Sequence, residues 1–159
     1  MIQNNTIRII GPSEEVFELI DFYKTIVKNA LPKAKITLIG SFAIPMCGKE
    51  EFDLLVETGD VRNAQKLIQE KGRGRFEIGP IVGGEGFCRS KKRFGIICEL
   101  HIVPKEHKKI EVYLDLINKL KSKPEIVRKY EKLKWALNGS TEEAYKKEKS
   151  KFLKENNLL

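Results

Sequence analysis

Gly40-Ser41 is followed, after a spacer of nine residues, by Glu51-Phe52-Asp53-Leu54-Leu55-Val56. These are the residues best suited to chemistry. Ile36 to Ile39 is apolar and partly β-branched, so it reads as a buried strand ending at the glycine, and Phe52 to Val56 reads as a second strand. Side chains alternate along a strand, which sends Glu51 and Asp53 to one face and leaves Phe52, Leu54 and Val56 to make apolar contacts. Two carboxylates that close repel each other unless a cation or a proton neutralises one of them. Mg²⁺ takes oxygen ligands and bridges one or two carboxylates to substrate phosphates. A Gly-Ser turn lets the backbone approach a phosphate and adds a hydroxyl donor.

A third carboxylate comes from later in the chain. Gly95 leads into a strand read over Ile96 to Val103, where Ile97, Glu99, His101 and Val103 share one face and Ile96, Cys98, Leu100 and Ile102 share the other. Glu99 is the acid within that strand, and an acid on a mid-sheet strand needs a partner. His101 can serve beside it as a donor, a substrate contact or a proton shuttle. Arg89, Lys91, Lys92 and Arg93 form a basic group just ahead of the strand.

These residues and their order resemble the nucleotidyltransferase superfamily of the DNA polymerase β type, and within it the GrpB-like branch. The superfamily pattern is Gly-Ser, a spacer, then two acids separated by one apolar residue. Ser41-Phe42-Ala43-Ile44-Pro45 resembles the branch's Gly-Ser-Thr-x-Val-Pro opening, and Phe87-Cys88-Arg89-Ser90 its aromatic-x-Arg-Lys segment. Glu99-Leu100-His101-Ile102-Val103 resembles its His-Leu-His-Val-Val strand. Tyr113-Leu114-Asp115 through Pro124, Tyr130-Glu131-Lys132-Leu133-Lys134, and Ala144-Tyr145 with Lys149 and Phe152 are similar to its later runs. The chain departs from the branch at Phe42, Met46 and Glu99, in a spacer one residue shorter, and at Glu51, which brings it closer to the paired acids of the wider superfamily.

The resemblance implies a metal-dependent nucleotidyltransferase that moves a nucleoside monophosphate from a nucleoside triphosphate to an acceptor, which is a small molecule, a protein or RNA. Glu51, Asp53 and Glu99 are then the catalytic and metal-holding residues for Mg²⁺ (or Mn²⁺). Gly40, Ser41, Arg89, Lys91, Lys92 and His101 are the nucleotide-binding ones. It leaves open a nucleotide- or RNA-binding module that kept the fold and lost turnover. A third possibility is a partner domain for coenzyme or nucleotide metabolism, since members resembling this branch occur fused to dephospho-coenzyme A kinase.

The elements that must position these residues read as α+β, a mixed sheet flanked by helices with a helical C-terminal section. Ser13 caps a helix with an apolar stripe from Val16 to Val27, and Pro32 ends it. Asp60 caps a second helix over Val61 to Lys71, stopped at Gly72. Arg73 to Ile78 is a candidate strand, and the glycines from Gly79 to Gly86 form a loop or hairpin. Helices follow over His107 to Lys121, Pro124 to Leu137 and Thr141 to Lys154, with Ser140 and Glu143 as a capping box. The expected organisation is one domain over residues 1–159, with the sheet core to about residue 104 and the helical section beyond it.

Composition agrees with a soluble, cytoplasmic protein. With 159 residues, 41% of them hydrophobic and 33% charged, the chain can bury a core without staples and carries no disorder signature. No apolar run reaches membrane-spanning length and no secretory leader is read. Cys47, Cys88 and Cys98 lack metal-ligand spacing and read as reduced thiols. The net charge of +8 suits polyanionic partners, and much of it sits in two places, Lys71 to Arg75 with Arg89 to Arg93, and the C-terminal helices. The lysines from Lys119 to Lys154 alternate with glutamates as solvated faces do.

Overall fold

The computed structural model describes residues 6–159. Residues 1–5, the start of the segment read for a leader, lie outside the described residues. In chain order the elements are β1 (Ile9–Ile10), α1 (Glu14–Ala30), β2 (Lys35–Ile39), β3 (Gly48–Lys49), β4 (Glu51–Thr58), α2 (Val61–Lys71), β5 (Phe76–Val82), β6 (Glu85–Ser90), β7 (Ile97–Pro104), α3 (Lys108–Lys121), α4 (Pro124–Ala136) and α5 (Glu142–Glu155). Five strands form a mixed sheet in the order β2-β4-β7-β6-β5. Only β4 and β7 run parallel; the other neighbours are antiparallel.

Alternation along β4 and β7 gives the sheet two different faces. Phe52, Leu54, Val56, Cys98, Leu100 and Ile102 point to one side and meet Val16, Ile20, Tyr23, Val27, Ala64 and Ile68 of α1 and α2. This is the main core. Each fully buried aliphatic side chain there contributes about 1.5–3 kcal/mol. The other face carries Asp53, Leu55, Glu99, His101 and Val103; its apolar members pack with Ile39 and with Ile117 of α3. The three C-terminal helices cover this second face around Met46, Leu120, Tyr130, Leu153 and Leu158.

Local signals place most helix ends. The Ser13 side chain accepts from the Val16 N–H and that of Asp60 from the Asn63 N–H. Gly72 ends α2 with an ordinary right-handed backbone, and what demands glycine there is space. A Cβ would lie 2.4 Å from the Ile68 carbonyl oxygen. Ser140 is not the cap of α5: the Thr141 side chain accepts from the Ala144 N–H instead. The Ser140 backbone is occupied elsewhere, its carbonyl taking the Ile7 N–H at 2.8 Å.

The glycine-rich stretch after α2 resolves into a hairpin, β5–β6, with its register shifted between Ile78 and Ile81. Buried Gln65 of α2 fastens it by donating to the carbonyls of Gly79 and Phe87 at 3.1 and 2.9 Å. The start of β6 is thereby carried under α3. At the other end, Asn138 and Gly139 beyond α4 clasp the N-terminal segment: Asn138 Oδ1 accepts from the Ile9 N–H at 2.9 Å and the Gly139 N–H donates to Ile7 at 2.9 Å.

Candidate active site

The strand registers bring the acids together. Parallel pairing of β4 with β7 sets Asp53 beside Glu99, antiparallel pairing of β6 with β7 sets Arg89 beside Glu99, and β2 ends so that Ile39 lies beside Asp53. Gly40 follows immediately, with φ +78° and ψ −161°. A Cβ on it would sit 3.0 Å from Asp53 Oδ2, so the glycine is what lets the turn lie against the carboxylate. These groups line a cleft of about 800 Å³ between the sheet and α3, α4 and α5.

His101 lies one step along the same face of β7 and is held at both ring nitrogens. In its imidazolium form Nε2 donates to Asp53 Oδ1 at 2.9 Å and Nδ1 to Glu85 Oε1 at 2.8 Å. Burial alone would pull the imidazole down; the hydrogen bonds with Asp53 and Glu85 outweigh it and raise it to about 9. Glu85, at the start of β6, is only 1% exposed. Burial pushes its carboxyl up, but the His101 and Tyr113 hydrogen bonds, with the charges of His101 and Lys109, bring it down to about 2. Tyr113 of α3 donates to the same Oε1 at 2.8 Å, and Lys109 stands 3.4 Å from Oε2.

Glu99 is left without such compensation. Burial and the charge of Asp53 raise its carboxyl above the usual carboxylate range, with His101 opposing. Ligand atoms from Asp53, Glu99 and His101 all lie within 4.8 Å of one another. A divalent cation fits this cluster on two grounds: the oxygens are close enough to share it, and it would remove the repulsion that Glu99 bears.

Glu51 faces the cleft but is engaged by Lys49 at 2.9 Å, and Lys49 also reaches Glu142 of α5 at 2.6 Å. Among the nucleotide-binding candidates, Gly40, Ser41, Arg89, Lys92 and His101 line the cleft. Lys91 instead lines a smaller concavity of about 310 Å³ on the other side of the β6–β7 connection, to which Lys92 also contributes.

Reasoning from the sequence assigned no role to four residues that shape the cleft: Glu85, Tyr113, Lys49 and Lys134. Lys134 of α4 is 2% exposed, and it donates to Ser41 Oγ at 2.6 Å and to the Cys47 carbonyl at 2.9 Å. Burial, and then the charge of Lys149, lower it well below the ordinary lysine value. Tyr113 and Lys134 stand in the runs that resemble the GrpB-like branch, which is the signal that could have found them. Glu85 sits among glycines and gives none.

Comparison with known proteins agrees with this architecture. A family model described as GrpB protein matches residues 6–157. A UPF0157 protein of Vibrio cholerae serotype O1 is 28% identical over 134 residues, covering 82% of this chain and 70% of its own. The crystal structure of the conserved protein GrpB from Enterococcus faecalis superposes with a TM-score of 0.73 at 22% identity, covering 94% of this chain and 92% of that one. The Cid1 poly(U) polymerase with MgGTP bound superposes with a TM-score of 0.54 at 17% identity, over 74% of this chain but only 41% of that one. The sheet and its flanking helices are therefore of the nucleotidyltransferase type.

Proposed function

We propose that this chain, which belongs to the GrpB family, is a metal-dependent nucleotidyltransferase that moves a nucleoside monophosphate from a nucleoside triphosphate to an acceptor hydroxyl or phosphate. The observation that carries the reading is the Asp53–Glu99 register pair, set beside the Gly40-Ser41 turn in an open cleft.

Asp53 and Glu99 would hold the cation, Mg²⁺ or Mn²⁺, with Glu51 as a third carboxylate when Lys49 stays with Glu142. The bound cation supplies Lewis-acid neutralisation of phosphate charge and a lowered pKa for an acceptor hydroxyl. Gly40 and Ser41 receive the β and γ phosphates through backbone N–H and hydroxyl donors. Lys134 orients the Ser41 hydroxyl, because an Nζ–H of its side chain donates to the oxygen's lone pair and leaves the hydroxyl proton to turn toward the cleft. Arg89 and Lys92 stand at the rim to stabilise charge on the departing pyrophosphate, with Lys91 behind them. His101 is oriented by Glu85 and keeps the Asp53 carboxylate in place. The acceptor side of the cleft is shaped by α3 to α5. We place the reaction in the cytoplasm; among the described residues no helix is long and apolar enough to cross a membrane.

A second reading is supported by the Lys49–Glu51 ion pair. If that pair persists with nucleotide bound, Asp53 and Glu99 remain as two carboxylates, and the protein binds nucleotide without turnover. Calorimetric titration with several nucleoside triphosphates, with and without Mg²⁺, tests both readings. The transferase predicts Mg²⁺-dependent binding that Asp53→Ala abolishes, and label transfer from α-labelled nucleotide into a metabolite or RNA pool. Binding indifferent to Mg²⁺ and to Asp53→Ala overturns it; Mg²⁺-dependent binding with an unlabelled pool selects the binding module.

A further inference from the structure

Five cations converge on a second concavity on the far side of the β6–β7 connection, beside the cleft. Arg73 and Arg75 come from the loop after α2, and Lys91, Lys92 and Arg93 from the segment after β6. Together with Gly74 and Tyr23 they line the concavity of about 310 Å³. All five side chains are exposed. The ion pairs of the described residues lie elsewhere, so none of the five has a carboxylate within 4.0 Å. Like charges gathered without counter-charges repel, and a patch of this kind gains most by neutralising a polyanion.

Aromatic rings are interleaved with these charges. The Arg93 guanidinium lies over the Phe22 ring at 4.4 Å and within 5.5 Å of the Phe94 ring, and Arg75 lies 5.8 Å from Phe22. Phe94 itself is 85% exposed. It occupies the first central position of a two-residue turn closed by hydrogen bonds between Arg93 and Ile96, with φ +52° at Phe94 and +78° at Gly95. Such turns favour Asn-Gly, and an aromatic residue at positive φ is disfavoured there. Neither turn geometry nor burial accounts for this phenylalanine. Its conformation instead holds a flat apolar ring out in solvent beside a guanidinium, and bases stack on such a platform.

We propose that this surface binds single-stranded RNA, with the phosphates on Arg73, Arg75, Lys91 and Arg93 and a base on Phe94. Lys92 lines both this concavity and the cleft, and Gly95 borders the cleft as well. A strand lying across the patch is thereby delivered to the opening where Asp53 and Glu99 face each other. The inference rests on the transferase reading for its consequence, which is that the acceptor is the end of an RNA strand. The binding surface itself does not depend on catalysis.

The test is fluorescence anisotropy with a labelled single-stranded RNA of about 15 nucleotides, measured in EDTA and without nucleotide, so that failure of the transferase reading leaves it unaffected. Binding should weaken roughly tenfold or more between about 50 and about 200 mM salt. Arg73→Glu with Arg75→Glu should abolish it, whereas Lys147→Glu with Lys151→Glu on α5 should change it little. Phe94→Asn is the decisive variant. Asparagine suits the turn, so the fold should hold or gain thermal stability, while RNA affinity drops about fivefold or more. Heparin, which has charge but no bases, should bind the Phe94→Asn protein as well as the wild type. No RNA binding by the wild type overturns the proposal. So does an unchanged RNA affinity in Phe94→Asn, which would mean that any polyanion suffices.

Discussion

Glu85 accepts a hydrogen bond from His101 at 2.8 Å across the β6–β7 boundary, and the same imidazole reaches Asp53 at 2.9 Å on its other side. A buried carboxylate and a cleft carboxylate thus share one cation. The pair sets both the order of the acidic face and its dependence on pH.

Without bound metal, the stability contributed by this pair should be greatest between about pH 4.5 and about pH 6.5, the unfolded values of the two groups. Glu85 has its folded value depressed to about 2, so its contribution is present above 4.5 and is lost as pH falls toward 2. His101 has its folded value raised to about 9, so its contribution is complete below 6.5 and is lost as pH rises through 9. Urea melts across this range check both limbs. Glu85→Gln should flatten the acid limb, and an acid limb that persists unchanged in this variant refutes the assignment.

Glu99→Gln should raise the melting temperature of the metal-free protein near neutral pH. The folded state holds the Glu99 carboxyl above its usual range through burial and the charge of Asp53, so the ionised form is disfavoured there. The same change should weaken Mn²⁺ or Mg²⁺ binding by about tenfold or more. Scanning calorimetry and metal titration read the two effects separately. A loss of stability without loss of metal affinity contradicts the cluster.

Gly40→Ala should cost about 1–3 kcal/mol, because φ +78° with ψ −161° is backbone that only glycine adopts freely. The added methyl would also press on Asp53 Oδ2 at 3.0 Å, so cation affinity should fall with stability. Equilibrium denaturation and metal titration on the same sample decide it; unchanged metal binding would show that the turn does not set the Asp53 carboxylate.

Lys134→Met should weaken nucleoside triphosphate binding about tenfold by freeing the Ser41 hydroxyl. It should also remove a pH effect. Lys134 has its folded value lowered, so the unfolded chain binds more protons and the wild type gains stability as pH rises toward 10.5. The wild type should therefore gain on the mutant as pH rises toward that unfolded value. Parallel denaturation profiles would show that Lys134 is charged in the fold.

What could be read from the sequence was local. Periodicity and caps placed α1, α2, β2, β4 and β7 close to their observed ends, and alternation put Asp53, Glu99 and His101 on the correct faces. The rest depended on contacts far apart in the chain. Glu85 acquires its partner only through the register of β6 on β7, and the hairpin holding it reads locally as a run of glycines. Lys134 reaches Ser41 across 93 positions, and a lysine in a Lys-Glu-rich helix reads as solvated. Lys49 beside Glu51 could be seen as a charge pattern, but its second partner, Glu142, arrives from the final helix.

The clasp of Asn138, Gly139 and Ser140 on Ile7 and Ile9 stitches the beginning of the chain to its last fifth. During synthesis the strands bearing Asp53 and Glu99 leave the ribosome long before this seam can close. A nascent chain ending at β7 therefore presents its acids on a bare sheet face, and the helical wall that turns this face into a cleft is the final thing assembled.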